Sequence, residues 1–233
     1  MTDWMDYILG GIVEAFNLLI SFDTEVYRIV FLSVIVSLSS TLISSLITIP
    51  LAVYLGIKEF KGKKLFSRLT YTFMSMPSVI VGLVIAIMLS RRGPLGFLDL
   101  MYSPVAMIIA QTILVTPLIL GLTYNLSKTR GKKIELIGKT LGASKLEIVI
   151  LIIKELRLDI LMNIVTAFSR AISEVGAVMI VGGNIKGYTR VITTSISMLN
   201  SMGDYPMAIA LGIVLLIISF GINSIIYSYS MEE

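Results

Sequence analysis

Cysteine and histidine are both absent from the 233 residues. Their absence removes disulfides, thiolate nucleophiles, the commonest zinc sites and imidazole acid–base chemistry together, so neither a catalytic residue nor a metal site is expected. Charge is scarce as well: 15% of the residues are Asp, Glu, Lys or Arg, against roughly a quarter in an ordinary soluble domain. What fills the chain instead is apolar, 56% hydrophobic with a mean hydropathy of +0.92, the composition of an integral membrane protein. The first residues, Met1 to Asp6, are acidic where a secretory leader is basic, so no cleavable leader is expected. Neither an internal repeat nor a linker interrupts the sequence, and residues 1–233 read as one transmembrane domain.

A hydrocarbon core about 30 Å thick takes roughly 20 apolar residues per helix. Five stretches are long enough: Ile29 to Ile57, Leu69 to Ser90, Leu100 to Ser127, Ile160 to Ile185 and Tyr205 to Met231, and only the fourth contains charge. Trp4 to Ser21 is interrupted by Asp6 and Glu14 yet keeps an apolar face through Ile8, Ile12, Phe16 and Leu19, so residues 1–28 are expected to hold an interfacial helix. The fold class is therefore all-α, with five transmembrane helices plus that N-terminal helix. Lys58, Lys61, Lys63, Lys64 and Arg68 in one loop and eight basic residues between Lys128 and Arg157 in another mark the cytoplasmic side. The N-terminus is then outside and the C-terminus inside, with few residues after the last span.

Enzyme-like motifs fail on inspection. Gly138-Lys139-Thr140 looks like the end of a phosphate-binding loop, but the upstream glycine position holds Lys133 and no strand precedes it. Residues 134 to 157 are instead amphipathic, with Ile134, Leu136, Ile137, Leu141, Leu146, Ile148 and Val149 among charged neighbours and Gly142 midway. Two short helices joined at Gly142 would offer apolar side chains to lipid headgroups or to a partner subunit.

In the fourth span Asn163, Thr166, Arg170, Ser173 and Glu174 recur at three- and four-residue steps, so one face is polar. Charges at mid-membrane cost roughly 2.5–3.5 kcal/mol each on insertion scales and normally face a bundle interior or a wet path, so this face is expected to point inward. Either Arg170 and Glu174 lock helix packing as an i,i+4 pair, or they shape or gate a translocation path. Arginine first is the weaker i,i+4 order, which suggests a further partner for one of them. Ser33, Ser37, Ser40, Ser44 and Thr48 form a hydroxyl stripe expected to glue helices together, and Pro50, Pro77 and Pro117 can bend their spans. Gly182-Gly183-Asn184 should end the fourth helix, and Lys186 and Arg190 beyond it suit an acidic external partner or plain solvent.

"KTLGAS", residues 139 to 144, resembles the ATPase-docking EAA loop of type I ABC importer permeases, with Gly142 at that loop's glycine. The Glu-Ala-Ala start of that motif falls on Leu136-Ile137-Gly138, with Glu135 one position early. "SRAISEVGAVMIVGGNIKGYTRVITTSI", residues 169 to 196, and "RRGPLGFL", residues 91 to 98, are similar to permeases for tetrahedral oxyanions, of the tungstate type first and then molybdate and sulfate. The resemblance implies a cytoplasmic coupling loop at residues 128–157, with Glu135, Leu136, Ile137, Leu141, Gly142, Ala143 and Ser144 meeting the ATPase. It also implies a path shared by two copies of the chain, two cytoplasmic ATPase subunits that hold ATP-Mg, and an external oxyanion-binding protein. This chain would bind no cofactor and no nucleic acid, only its partners and membrane lipid. A stand-alone channel or ion-coupled carrier working through Arg170 and Glu174, and a non-transporting anchor, remain as alternatives.

Overall fold

Asp23 starts the first long helix. Its carboxylate accepts the N–H groups of Glu25 and Val26 at 2.9 and 3.0 Å, two of the donors that a helix N-terminus leaves without partners. The helix that follows, α1, runs over Thr24–Ile57 and so begins before the expected span at Ile29. Its 34 residues rise about 51 Å, more than the bilayer core, so α1 tilts or projects beyond it. The computed structural model describes residues 9–10, 12–13, 16–18, 20–21 and 23–231, and half of the expected interfacial helix Trp4–Ser21 lies outside the described residues.

Every further regular element in the described residues is also helical: α2 (Lys63–Met74), α3 (Ser78–Leu89), a short 3₁₀ turn (Gly96–Leu98), α4 (Pro104–Leu126), α5 (Lys132–Thr140), α6 (Lys145–Glu155), α7 (Arg157–Ile172), α8 (Gly176–Gly182), α9 (Ile192–Met202) and α10 (Tyr205–Met231). Ser103 caps α4 and Pro104 sits at its first position, where a missing N–H costs nothing. A π turn, Ser127–Gly131, leads from α4 into α5 without a break. Three helices are long and apolar enough to cross a membrane, and five spans result if each bent pair counts as one.

Two expected spans are not single helices. The stretch Leu69 to Ser90 is divided between α2 and α3, which meet at 91°. Pro77 stands at the join: it has no N–H to continue the helix and disfavours helical backbone at Met76. The stretch Ile160 to Ile185 is divided between α7 and α8, bent by 57° around Ser173, Glu174 and Val175. Pro50 and Pro117, by contrast, lie inside continuous helices.

α1 and α4 are the central pair. The hydroxyl stripe faces their contact, with Ser33, Ser37, Ser40, Ser44 and Thr48 all buried. Ser40 donates to Gln111 Oε1 at 3.2 Å, Gln111 Nε2 donates to the Ala171 carbonyl at 2.9 Å, and the Ser44 and Thr116 hydroxyls lie 2.9 Å apart. One polar chain therefore ties α1, α4 and α7 together, which suits a solvent that offers no hydrophobic gain for helix association. One apolar cluster joins α3, α4 and α8 through Val81, Ile85, Met107, Ala110, Ala177 and Val181. A second joins the far halves of α1 and α4 to α6 and α7 through Val53, Ile119, Ile148, Ile152, Ala167 and Ala171.

The two helix breaks pack on each other. A Cβ added at Gly82 of α3 would lie 2.7 Å from the Ala177 Cα, and one at Gly176 would lie 2.7 Å from a Val79 methyl. Only hydrogen fits between these two backbones.

Candidate translocation path and coupling surface

Apart from the buried Glu174, the polar residues of the fourth expected span share a face, and it is turned away from the protomer's own core. Ile160, Ala167, Phe168, Ala171 and Ile172 are the buried side of α7, whereas Thr166, Arg170 and Ser173 are exposed and Asn163 is half-buried. "Inward" thus does not describe the single protomer; the apolar stripe of α7 takes that direction. Asn163 Nδ2 reaches Thr123 Oγ1 only at 3.4 Å. Thr166 donates to the Met162 carbonyl and Ser173 to the Ser169 carbonyl, both at 2.8 Å, so these hydroxyl protons are spent on backbone and the two hydroxyls present oxygen lone pairs.

Arg170 and Glu174 do meet. Arg170 Nη1 donates to Glu174 Oε2 at 2.9 Å, with the arginine side chain 43% exposed and the glutamate 2%. The other carboxylate oxygen accepts the Ala177 N–H at 3.2 Å, and the Glu174 carbonyl accepts Thr193 Oγ1 from α9 at 2.6 Å. Glu174 is therefore the corner post of the break, joining α7, the start of α8 and α9. Its further partner is a backbone amide rather than a second charge, and because α7 ends at Ile172 the pair is not governed by the i,i+4 order of an unbroken helix. Glu174→Gln should keep the Ala177 bond and fold well, while Glu174→Ala should lose both bonds and cost about 2–4 kcal/mol, because a buried amide is left unpaired. Thermal unfolding of the two purified variants separates them, and equal midpoints would argue against the corner-post role.

The loop after α4 also adopts the expected pair of short helices. α5 and α6 meet at Gly142, whose φ of +80° is a left-handed conformation that side chains other than glycine resist. Leu136, Ile137, Leu141 and Leu146 are exposed, Leu141 at 80%. Ala143 is half-buried against the second apolar cluster. Gly138 is buried in α5, where an added Cβ would meet Ile148 at 3.2 Å, so the phosphate-loop lookalike is a helix-packing position. Glu135 pairs with Lys139 at 2.6 Å.

Ser144 caps α6 and Glu147 reaches back to the Ser144 N–H at 2.7 Å, a reciprocal capping box. The Ser144 hydroxyl and backbone hold the Glu147 carboxyl below its ordinary range. Ser144→Ala should destabilise α6 by about 1 kcal/mol, read as a lower unfolding midpoint with no change in the helices buried in the bilayer; an unchanged midpoint would count against the cap.

Glu59, which the sequence reading passed over, anchors this loop to α1. It accepts from Lys132 at 2.5 Å and from Lys63 at 3.4 Å. Lys132 first, then Lys63, hold its carboxyl below the ordinary carboxylate range, and Glu59 in turn raises the Lys132 ammonium. A cavity of about 510 Å3 lies between this end of α1 and the two loop helices, bordered by Tyr54, Lys58, Lys139 and Lys145. At the opposite end of the molecule Glu25 pairs with Lys186 at 2.7 Å and Arg190 at 3.4 Å beside a second cavity of about 410 Å3. The two strongly basic loops thus share one end, and Lys186 and Arg190 share the other.

Residues 48–229 match the family model described as binding-protein-dependent transport system inner membrane component. The chain belongs to that family. As an inner-membrane component it is a transport subunit, and binding-protein-dependent transport implies a binding protein as a partner. Among curated relatives of this family, the tungstate uptake system permease protein TupB of Peptoclostridium acidaminophilum is 66% identical over 228 residues, covering 98% of this chain and 100% of that one. The protein of the same name from Campylobacter jejuni subsp. jejuni serotype O:2 is 38% identical over 230 residues, covering 95% and 93%. Both are similar to this inner-membrane component along almost its whole length, so the α7–α8 break and the α5–α6 loop fall inside the shared region.

Proposed function

We propose that two copies of this chain form the path of an ATP-driven importer for a tetrahedral oxyanion, tungstate first among the candidates and molybdate, sulfate or phosphate after it. The observation that carries the reading is the polar face of α7, exposed on the outside of an otherwise apolar protomer. Facing lipid, the exposed Arg170 guanidinium, held by Glu174 through Nη1, would lose water from its other N–H groups without gaining partners. Facing the same surface of a second copy across a two-fold axis, they border a wet path. The likeness to the tungstate permeases supports the choice of cargo.

Chemically the face suits passage rather than storage of an anion. Glu174 cancels most of the Arg170 charge, and the hydroxyls turn acceptors toward the path, so a divalent oxyanion is drawn in weakly and leaves again. Tight selection belongs to the external binding protein, which meets the end carrying Lys186 and Arg190. At the other end Leu136, Ile137, Leu141, Gly142, Ala143 and Ser144, with Glu135 beneath them, meet one of two ATPase subunits holding ATP-Mg. The basic loops support a cytoplasmic location for that end, with the N-terminus outside. Hinging at the paired helix breaks converts ATPase closure into opening of the path.

Because the chain contains no cysteine, a single Thr166→Cys substitution reports on this face without background. A short bifunctional thiol cross-linker applied to membranes should double the apparent mass, while Leu216→Cys, exposed on α10, should stay monomeric. Cross-linking at Leu216 and none at Thr166 would overturn the proposed arrangement.

A further inference from the structure

α2 packs on the end of α4 nearest the basic loop. Phe66 packs edge-on against Tyr124 with ring centroids 5.4 Å apart, and the Met74 sulfur packs on Gly121. The 91° bend into α3 then turns the chain from this end into the bilayer.

The faces of α2 divide accordingly. Phe66, Thr70 and Met74 meet α4. Leu65, Leu69 and Phe73 are exposed at 60%, 48% and 49% and form an apolar row with no protein cover. Lys64 and Arg68 stand one turn apart and, with Lys63, Ser67, Lys128 and Glu59, line a cavity of about 660 Å3; the Glu59 carboxylate there is already paired with Lys132 and Lys63. Lys63 is already engaged, donating to the Gly56 and Lys58 carbonyls at 2.9 and 2.8 Å. Among the described residues Lys64, Arg68 and Lys128 have no carboxylate within ion-pair distance.

We infer that this cavity binds the phosphate headgroup of an anionic phospholipid whose acyl chains lie along Leu65, Leu69 and Phe73. Three cations without counter-charges beside an exposed apolar row, on a helix lying at the membrane boundary, match both halves of such a lipid. A free tetrahedral oxyanion would satisfy the cations but leave the apolar row bare. The site lies outside the proposed path, so lipid retention is read independently of transport and of the cargo.

The test uses the permease with its ATPase in nanodiscs of equal phosphatidylglycerol and phosphatidylcholine, released into native mass spectrometry. The unaltered complex should retain phosphatidylglycerol in preference to phosphatidylcholine, and the triple variant Lys64→Ala, Arg68→Ala, Lys128→Ala should lose that retention at least about tenfold. Lys61→Ala, an exposed lysine outside the cavity, and the charge-preserving Lys64→Arg, Arg68→Lys, Lys128→Arg variant should retain it. Equal retention by the triple Ala variant would overturn the inference. So would displacement of the lipid by millimolar tungstate or inorganic phosphate, which would make this a free-oxyanion site. Loss of the ATPase with unchanged lipid would overturn it too, by making the cavity a protein-docking surface.

Discussion

Gly82→Val is expected to prevent recovery of folded permease. The first added carbon falls 2.7 Å from the Ala177 Cα and 3.1 Å from its carbonyl oxygen, and both of those atoms are backbone, so no side-chain rotation relieves the overlap. Overpacking that neighbouring side chains can absorb costs about 1–3 kcal/mol. Here α3 and α8 must separate, opening the cluster of Val81, Ile85, Ala177 and Val181. The cost should exceed that range and take much of the 5–15 kcal/mol that stabilises a typical protein. Size-exclusion recovery and thermal unfolding of the purified chain are the readouts. Gly212→Ala, where an added Cβ meets nothing within 4 Å, should behave as the unaltered protein. Recovery of Gly82→Val with an unchanged midpoint would mean that the two helix breaks are not in contact.

Leu141→Asp is expected to leave the membrane fold intact and remove the ATPase. The side chain is 80% exposed, so the fold loses almost nothing with it. It stands at the turn between α5 and α6, beside Leu136, Ile137 and Leu146, which are also exposed. A carboxylate there would be buried without a partner on docking, a penalty of several kcal/mol, or at least a hundredfold in affinity. Co-purification of a tagged ATPase reports the loss, and Lys133→Ala, which removes an exposed charge on α5, should not reproduce it. A Leu141→Asp chain that keeps its ATPase would exclude this loop as the coupling surface.

These residues also show which features sequence reasoning reaches. Uncharged apolar runs announce their own length, which is why α1, α4 and α10 were legible from hydropathy alone. The paired short helices at Gly142 were legible because a glycine interrupts an amphipathic pattern. The hydroxyl stripe was legible because its three- and four-residue spacing leaves one face for Ser33 through Thr48.

The helix breaks were harder because composition runs through them unchanged. Pro77 signalled a bend, but not one of 91°. The bend at Ser173 to Val175 depends on Glu174 taking the Ala177 amide, a contact that periodicity reads as continued helix. Periodicity also identified the polar face of α7 without saying what lies opposite it, since spacing fixes which residues share a side and not which neighbour covers that side. Gln111 and Glu59 were missed because single polar residues at such positions become meaningful only when distant helices bring Ser40, Ala171 or Lys132 to them.

The most direct measurement is radiolabelled tungstate uptake into proteoliposomes holding this chain with its ATPase, with the external binding protein outside and ATP-Mg inside. Uptake is expected only when all parts are present, to stop when ATP is replaced by a non-hydrolysable analogue, and to be absent with the chain alone. Equal uptake by the chain alone, without ATP, ATPase or binding protein, would contradict the importer reading and make the chain a channel or carrier.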